Sequence, residues 1–293
     1  MSNSWWSTSR ERWSAFAPSD SRGITPGLLA HGVYHRTRKS HGMQYCPKCL
    51  EDDEDPYLRA QWRFALQFGC ARHGIALRDA CPHCDAPLMP HRRPDGDARK
   101  CSECWKNLSA LPDPLTEPER EVCRAASALY RDGSMHVGSE RATFRDAILA
   151  VRRLFSWVTS ARLPEGFANE FDIPSPMPST EREPFDTLET ARIGVRRWAI
   201  PFCFALLRTW PDDFLKACDE FGVSRTRVMD LRRTGAPSWF DSAIARLPHF
   251  PRARRTRHPP RRPTLETYKS AFERVSFEDY FSTLRHVPPG CGE

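Results

Sequence analysis

Downstream of Thr116, apolar residues recur at the spacing of helix faces. TEPEREVCRAASALYRD opens on Thr116 as a cap with acids in its first turn, and sets Val122, Ala125, Ala126 and Leu129 on one side. ATFRDAILAVRRLFSWVTSARL repeats the theme with Phe144, Ile148, Val151, Leu154, Phe155 and Val158. The stretch from Ile173 to Pro184, rich in proline, serine and threonine, reads as a linker or long surface loop. A second helical block follows from about Leu188 to Leu247. Upstream, EDDEDPYLRAQWRFALQFG is expected to form one helix. Asp53 or Asp55 would cap it, with Pro56 in its first turn and Gly69 at its end, and Tyr57, Leu58, Trp62, Ala65, Leu66 and Phe68 would form its apolar stripe.

The second block contains a helix-turn-helix pattern over residues 212–233. Ala217, Phe221, Val223, Val228 and Leu231 occupy the buried positions, Cys218 is the small residue where the helices cross, and Gly222 sits at the turn. Its second helix would present Arg225, Thr226, Arg227, Asp230, Arg232 and Arg233, a surface suited to phosphates or base edges. The same pattern also serves helical proteins that dock protein instead of DNA.

Cysteine spacing changes the picture for residues 45–112. Cys46-Pro-Lys-Cys49 is followed, after twenty residues, by Cys70-Ala-Arg-His73; Cys81-Pro-His-Cys84 is followed, after sixteen, by Cys101-Ser-Glu-Cys104. Two ligands separated by two residues can point at one ion while the second pair arrives from elsewhere in the chain, as in zinc ribbons. Two zinc ions are expected, one held by Cys46, Cys49, Cys70 and His73, the other by Cys81, Cys84, Cys101 and Cys104. Four protein ligands leave no open position for water, so the metals are expected to be structural. Leu88 and Leu108 each follow a pair by four positions, one apolar anchor under each knuckle. His31, His35, His41, His83 and His91 receive no metal assignment. Cys123, Cys203, Cys218 and Cys291 read as small buried hydrophobes.

The chain has 293 residues, with 28% charged and a mean hydropathy of -0.60. No stretch reaches the roughly 18 uncharged apolar residues of a membrane span, and MSNSWWSTSRERWSAF lacks the apolar core of a signal peptide, so a cytoplasmic location without membrane partners is expected. Seven thiolates and two zinc ions bring the formal charge of +7 to about +4. The excess is concentrated in residues 251–263, where Arg252, Arg254, Arg255, Arg257, Arg261 and Arg262 occur without an acid, while residues 51–55 are all acidic. Such a tract suits phosphate backbones, or equally a solvated proline-rich linker.

Cys46-Pro-x-Cys49-Leu50, Asp53, Tyr57, Arg59, Trp62, Cys70-x-x-His73-Gly74, Leu77, Cys81-Pro-x-Cys84, Leu88 and Cys101-x-x-Cys104 resemble the TniQ family, the target-selection proteins of transposons, which also includes TnsD. The resemblance runs from about Tyr45 to Leu108. A looser one links Trp210-Pro211 and the helix-turn-helix to the family's downstream helices. Residues 1–44 depart from the family's Pro-x-Glu-Ser-x-x-Ser-Trp opening and read as a divergent segment. The resemblance implies a non-catalytic adaptor that marks an insertion site, by binding DNA directly or by riding on a CRISPR effector complex, and that engages an AAA+ transposition ATPase. A homodimer is left open.

The expected architecture is mostly α-helical with an N-terminal double zinc-binding, zinc-ribbon-like module at 45–112. It continues with a helical domain at 116–170, a helical region at 185–250 carrying the helix-turn-helix, an Arg/Pro-rich linker at 251–263 and C-terminal helices at 264–286. The nucleic-acid contacts are expected at Arg225, Thr226, Arg227, Arg232, Arg233, Arg252, Arg254, Arg255 and Arg257. A zinc-ribbon and helix-turn-helix transcription regulator is the alternative. An enzyme is disfavoured, since Gly-x4-Gly-Lys-Ser/Thr, His-Glu-x2-His and Gly-x-Ser-x-Gly do not occur.

Overall fold

The computed structural model describes residues 25–29, 41–89, 92, 96–160, 162–173, 187–229 and 235–249. Seven α-helices lie among them: α1 (Pro47–Asp52), α2 (Glu117–Asp132), α3 (Phe144–Val158), α4 (Ile193–Arg208), α5 (Asp212–Glu220), α6 (Arg225–Val228) and α7 (Ser238–Ala245). Two antiparallel strand pairs accompany them: β1 (Gly69–Cys70) with β2 (Ile75–Ala76), and β3 (Ser134–Val137) with β4 (Glu140–Thr143).

Local chemistry sets the ends of α2. The Thr116 hydroxyl accepts from the Glu119 N–H at 3.4 Å while the Glu119 carboxylate accepts from the Thr116 N–H at 2.8 Å, a reciprocal capping box. Gly133, left-handed at φ 71°, ends the helix. Between α2 and α3 the chain forms the β3–β4 hairpin, where sequence periodicity had α3 beginning at Ala142. Ala142 instead pairs with Met135, and α3 starts at Phe144 with Thr143 as its cap. The hairpin turn reaches the end of α4, where Gly138 N–H donates to the Leu207 carbonyl at 3.0 Å.

Helix α4 is the centre of the helical part. Val195, Ala199, Ile200, Phe202, Cys203, Leu206 and Leu207 are buried on several of its faces, against α2, α3 and the 3-10 turn Phe167–Phe171. Residues of both helical blocks, 116–170 and 185–250, contribute to one hydrophobic cluster, which also takes in Leu28, Leu29, Phe64, Leu66 and Phe68.

The single helix expected between Cys49 and Cys70 does not form. Helix α1 stops at Asp52, Asp53 is extended, and only the 3-10 turn Ala60–Arg63 follows. Three causes act together. Asp55 precedes Pro56 and is biased toward extended backbone. The Asp53 side chain is held by Arg59 at 2.6 Å and Arg72 at 3.0 Å. The backbone around Phe64 pairs across the fold, Leu29 N–H to the Arg63 carbonyl at 2.9 Å and Ala65 N–H to the Gly27 carbonyl at 2.8 Å. With those groups committed elsewhere, residues 64–68 run through the core buried at every position, which a one-faced helix would not allow.

In the region expected to carry a helix-turn-helix, α5 buries Phe214, Ala217 and Cys218, and Gly222 makes the turn at φ 59°. Helix α6 is a single turn: Met229 is already extended, and β-branched Thr226 and Val228 favour a helix weakly. A second helix of recognition length is therefore not shown by the described residues. Arg232 and Arg233 lie outside them, as do residues 251–293 with Arg252, Arg254, Arg255 and Arg257.

A fully buried cation ties α4 to the chain around residues 44 and 65. Arg196 on α4 donates to the Ala191 carbonyl at 3.1 Å, the Ala65 carbonyl at 3.1 Å and the Gln44 side-chain oxygen at 3.0 Å. Burial pulls its pKa down to about 10, so it remains charged at neutral pH. Arg196→Met leaves three buried acceptors without a donor and is expected to cost about 3 kcal/mol or more, read as a lower denaturant midpoint at unchanged slope. Gly138→Ala is expected to lose about 1–3 kcal/mol in the same assay, because its φ is 56° and a Cβ would run into the Trp210 carbonyl oxygen.

Candidate metal centre

The first quartet forms where α1 meets the β1–β2 turn. Cys46 caps α1, its sulfur accepting from the Cys49 N–H at 3.4 Å. The second pair lies at the end of β1, where Gly74 (φ 63°) turns the chain back and gives its N–H to the Cys70 carbonyl at 2.8 Å. The turn brings His73 Nδ1 to 3.4, 3.3 and 3.6 Å from the sulfurs of Cys46, Cys49 and Cys70, and the sulfurs of Cys49 and Cys70 to 3.6 Å from each other. On the far side of the ring, Nε2 lies 3.1 Å from an Asp52 oxygen. With its proton on Nε2, the imidazole donates to Asp52 and turns the Nδ1 lone pair toward the sulfurs, the carboxylate–histidine support common at zinc sites.

The second quartet is built from two copies of one turn. Asp85 N–H donates to the Cys81 carbonyl at 3.0 Å and Trp105 N–H to the Cys101 carbonyl at 3.1 Å. Both residues following the pairs are left-handed, Asp85 at φ 54° and Trp105 at φ 63°. The sulfurs of Cys81 and Cys101 accept from the N–H groups of His83 and Glu103 at 3.5 and 3.4 Å. Cys81 faces Cys104 at 3.7 Å and Cys84 faces Cys101 at 3.7 Å. Leu108 is buried beside this quartet, Leu88 half-buried with Met89 buried next to it, and His83 stays exposed with its Nε2 3.0 Å from the Asn107 carbonyl oxygen.

These spacings test the donor set. Sulfurs at 3.6–3.7 Å are far outside disulfide length. Zinc–sulfur bonds of about 2.3 Å in a tetrahedron place the sulfurs about 3.8 Å apart, so both quartets fit that ion. In the metal-free form the first quartet divides its protons unevenly: the bond from the Cys46 thiol pulls Cys70 down to about 5, and the same bond, with burial, pushes Cys46 up. Metal binding must displace the remaining thiol protons.

Residues 4–77 match the TniQ family model. Over that span the chain is similar to the TniQ family. The matched span is about a quarter of the chain and contains the whole first quartet. The match opens at residue 4, within the segment read as divergent, and closes at residue 77, before Cys81. No curated protein and no solved structure matches the chain.

Beyond the two quartets, three side chains that sequence spacing did not single out hold this region in place. Arg99, just before the second pair of its quartet, donates to the carbonyls of Leu50, Asp53 and Glu54 at 3.2, 3.0 and 3.1 Å, closing the C-terminus of α1. Buried Asp79 accepts from the Ile193 N–H at 2.8 Å and so caps α4 from two residues before Cys81. Arg192 bridges Asp79 at 3.5 Å and Asp85 at 3.0 Å. An arginine next to charged loop residues has no local pattern, and only Asp53 and Arg59 fell within the quoted TniQ motif.

Of the expected nucleic-acid contacts within the described residues, Arg227 is exposed, Thr226 is half-buried with its hydroxyl 3.0 Å from that of Ser224, and Arg225 is half-buried with Nε 3.5 Å from the Met229 sulfur. No described helix is long and apolar enough to cross a membrane.

Purified reduced protein is expected to carry two zinc ions by elemental analysis, and Cys84→Ser to carry one. Asp52→Asn removes the acceptor behind His73 and is expected to weaken the first site roughly ten- to hundredfold in a chelator competition, with the second site unchanged. Acidification is expected to release metal from both, since every thiolate regained by a proton is withdrawn from the ion.

Proposed function

We propose that this protein is a non-catalytic adaptor for target-site selection in DNA transposition, linking target DNA to an AAA+ transposition ATPase. The observation that carries the reading is the family match over residues 4–77, which encloses a closed four-ligand quartet. Cys46, Cys49, Cys70 and His73 would hold one zinc, and Cys81, Cys84, Cys101 and Cys104 the other. A fully ligated zinc supplies a crosslink and no activated water, which suits a scaffold.

Target DNA would be met directly or through a CRISPR effector complex, and Arg227 together with the tract of Arg252, Arg254, Arg255 and Arg257 is the proposed direct contact. Arg225 and Thr226, engaged within their own turn, would support that contact. Should the protein bind DNA but ignore the ATPase, the zinc-ribbon and helix-turn-helix regulator becomes the better reading.

Two measurements test this. The zinc-loaded chain is expected to bind an AAA+ transposition ATPase in a pull-down and to raise its assembly on DNA, with no strand cleavage by the chain alone; cleavage abolished by acidic substitutions would place it among enzymes. In binding titrations over a salt series, neutralising the four tract arginines is expected to weaken all sequences alike and to lower the salt slope by about one unit for each phosphate no longer neutralised, whereas Arg227→Ala costs about 1–3 kcal/mol if it reads a base. If wild type ignores DNA at low salt, targeting belongs to a partner.

A further inference from the structure

The two quartets differ in what shields them. Cys46, Cys49 and Cys70 are buried at 0, 1 and 5% exposure, with Tyr45, Trp62 and Leu77 packed among them and Asp52 behind His73. In the second quartet Cys81 and Cys101 are buried, but Cys84 is exposed and Cys104 half-buried, and the flanking His83, Asp85, Trp105 and Lys106 all face solvent. A thiolate reacts with a small oxidant only where the oxidant can reach the sulfur. The first quartet denies that approach, and Cys84 offers it.

Cys84 also has a second thiol in reach. The Cys101 sulfur lies 3.7 Å away, and a disulfide requires about 2.05 Å, a closure that one exposed turn can make by a side-chain rotation. Once closed, that bond removes two ligands from the quartet together.

We propose that Cys84 is an oxidative modification site for hydrogen peroxide, with Cys101 as its resolving partner, so that the second quartet releases its metal while the first keeps its own. This rests on the two-metal reading above. The Cys84 thiolate attacks one peroxide oxygen: an S–O bond forms, the O–O bond breaks, and hydroxide leaves a sulfenic acid. The Cys101 thiolate then attacks the Cys84 sulfur, forming the disulfide and expelling the second hydroxide. Two electrons pass from the two sulfurs to peroxide, and zinc departs as the divalent ion.

The release has a structural consequence. Asp85, adjacent to Cys84, holds Arg192 through contacts of 3.0 and 3.4 Å, and Arg192 lies at the start of α4 beside the Asp79 cap. Reordering the Cys81–Cys84 turn loosens its grip on the start of α4 and leaves the α1 side of the fold in place.

The test uses the full chain carrying zinc. Hydrogen peroxide is titrated while a chromogenic chelator records zinc release, and cysteine states are mapped by mass spectrometry. Release of about one of two equivalents, with a Cys84–Cys101 disulfide and reversal by dithiothreitol plus zinc, is the expected result. In the untreated protein, iodoacetamide should alkylate Cys84 at least about tenfold faster than Cys46, Cys49 or Cys70. Simultaneous loss of both ions, earlier loss from the first quartet, or oxidation mapped first to Cys46, Cys49 or Cys70 overturns the proposal and leaves two-metal binding standing. Fewer than two zinc ions before any peroxide is added overturns both.

Discussion

Tetrahedral closure of two sulfur-rich quartets is the constraint on which residues 41–115 depend. Among the described residues of that stretch, regular structure amounts to a six-residue helix, one 3-10 turn and a strand pair of two residues each. So little backbone pairing cannot repay the entropy of ordering the chain. The local hydrophobic cluster does not fill the gap, because the ligand cysteines are themselves much of it, joined by Tyr45, Leu50, Trp62, Leu77 and Leu108. Crowding four such side chains together without an ion is costly, and bound zinc would turn the same crowding into a source of folding energy.

That region meets the helical core through buried charges. Arg196 reaches from α4 to Gln44 and Ala65, and Asp79 caps α4; elsewhere Glu189, fully buried, takes the Gly27 N–H at 3.0 Å and pairs with Arg152 at 2.7 Å. Apolar packing alone would tolerate several registers between a loop-rich module and a helix bundle. A buried charge tolerates only the arrangement that meets its hydrogen-bond demand, since any slip leaves it unpaired in a low dielectric. The polar contacts therefore act mainly on alignment, and the aromatic contacts, such as Trp210 stacked on Phe214 and Phe240 at 4.7 and 5.0 Å, on cohesion.

The same division bears on function. A scaffold of the kind proposed needs surfaces held in fixed relation, and four-ligand metal sites would supply that rigidity. The two sites nonetheless differ: one is sealed inside the family's matched segment, and the other, beyond that segment, keeps one sulfur at the surface.

The two Cys/His quartets, the α2 capping box, the periodic faces of α2 and α3 and the family resemblance were all legible in the sequence. Ligand pairs two residues apart and caps three residues apart are local constraints, and any fold that satisfies them must satisfy them in the same way. What tertiary structure decided was everything set by distant partners. Residues 53–68 have the composition of an amphipathic helix, yet their backbone pairs with residues 27–29 and their apolar run fills a core with no solvent side. The β3–β4 turn is set against the end of α4, where Gly138 fits beside the Trp210 carbonyl some seventy residues on. Cys84 and Cys101 have the same spacing rules and opposite exposure, one at the surface and the other buried. Spacing names the ligands; what packs around them decides which the solvent can reach.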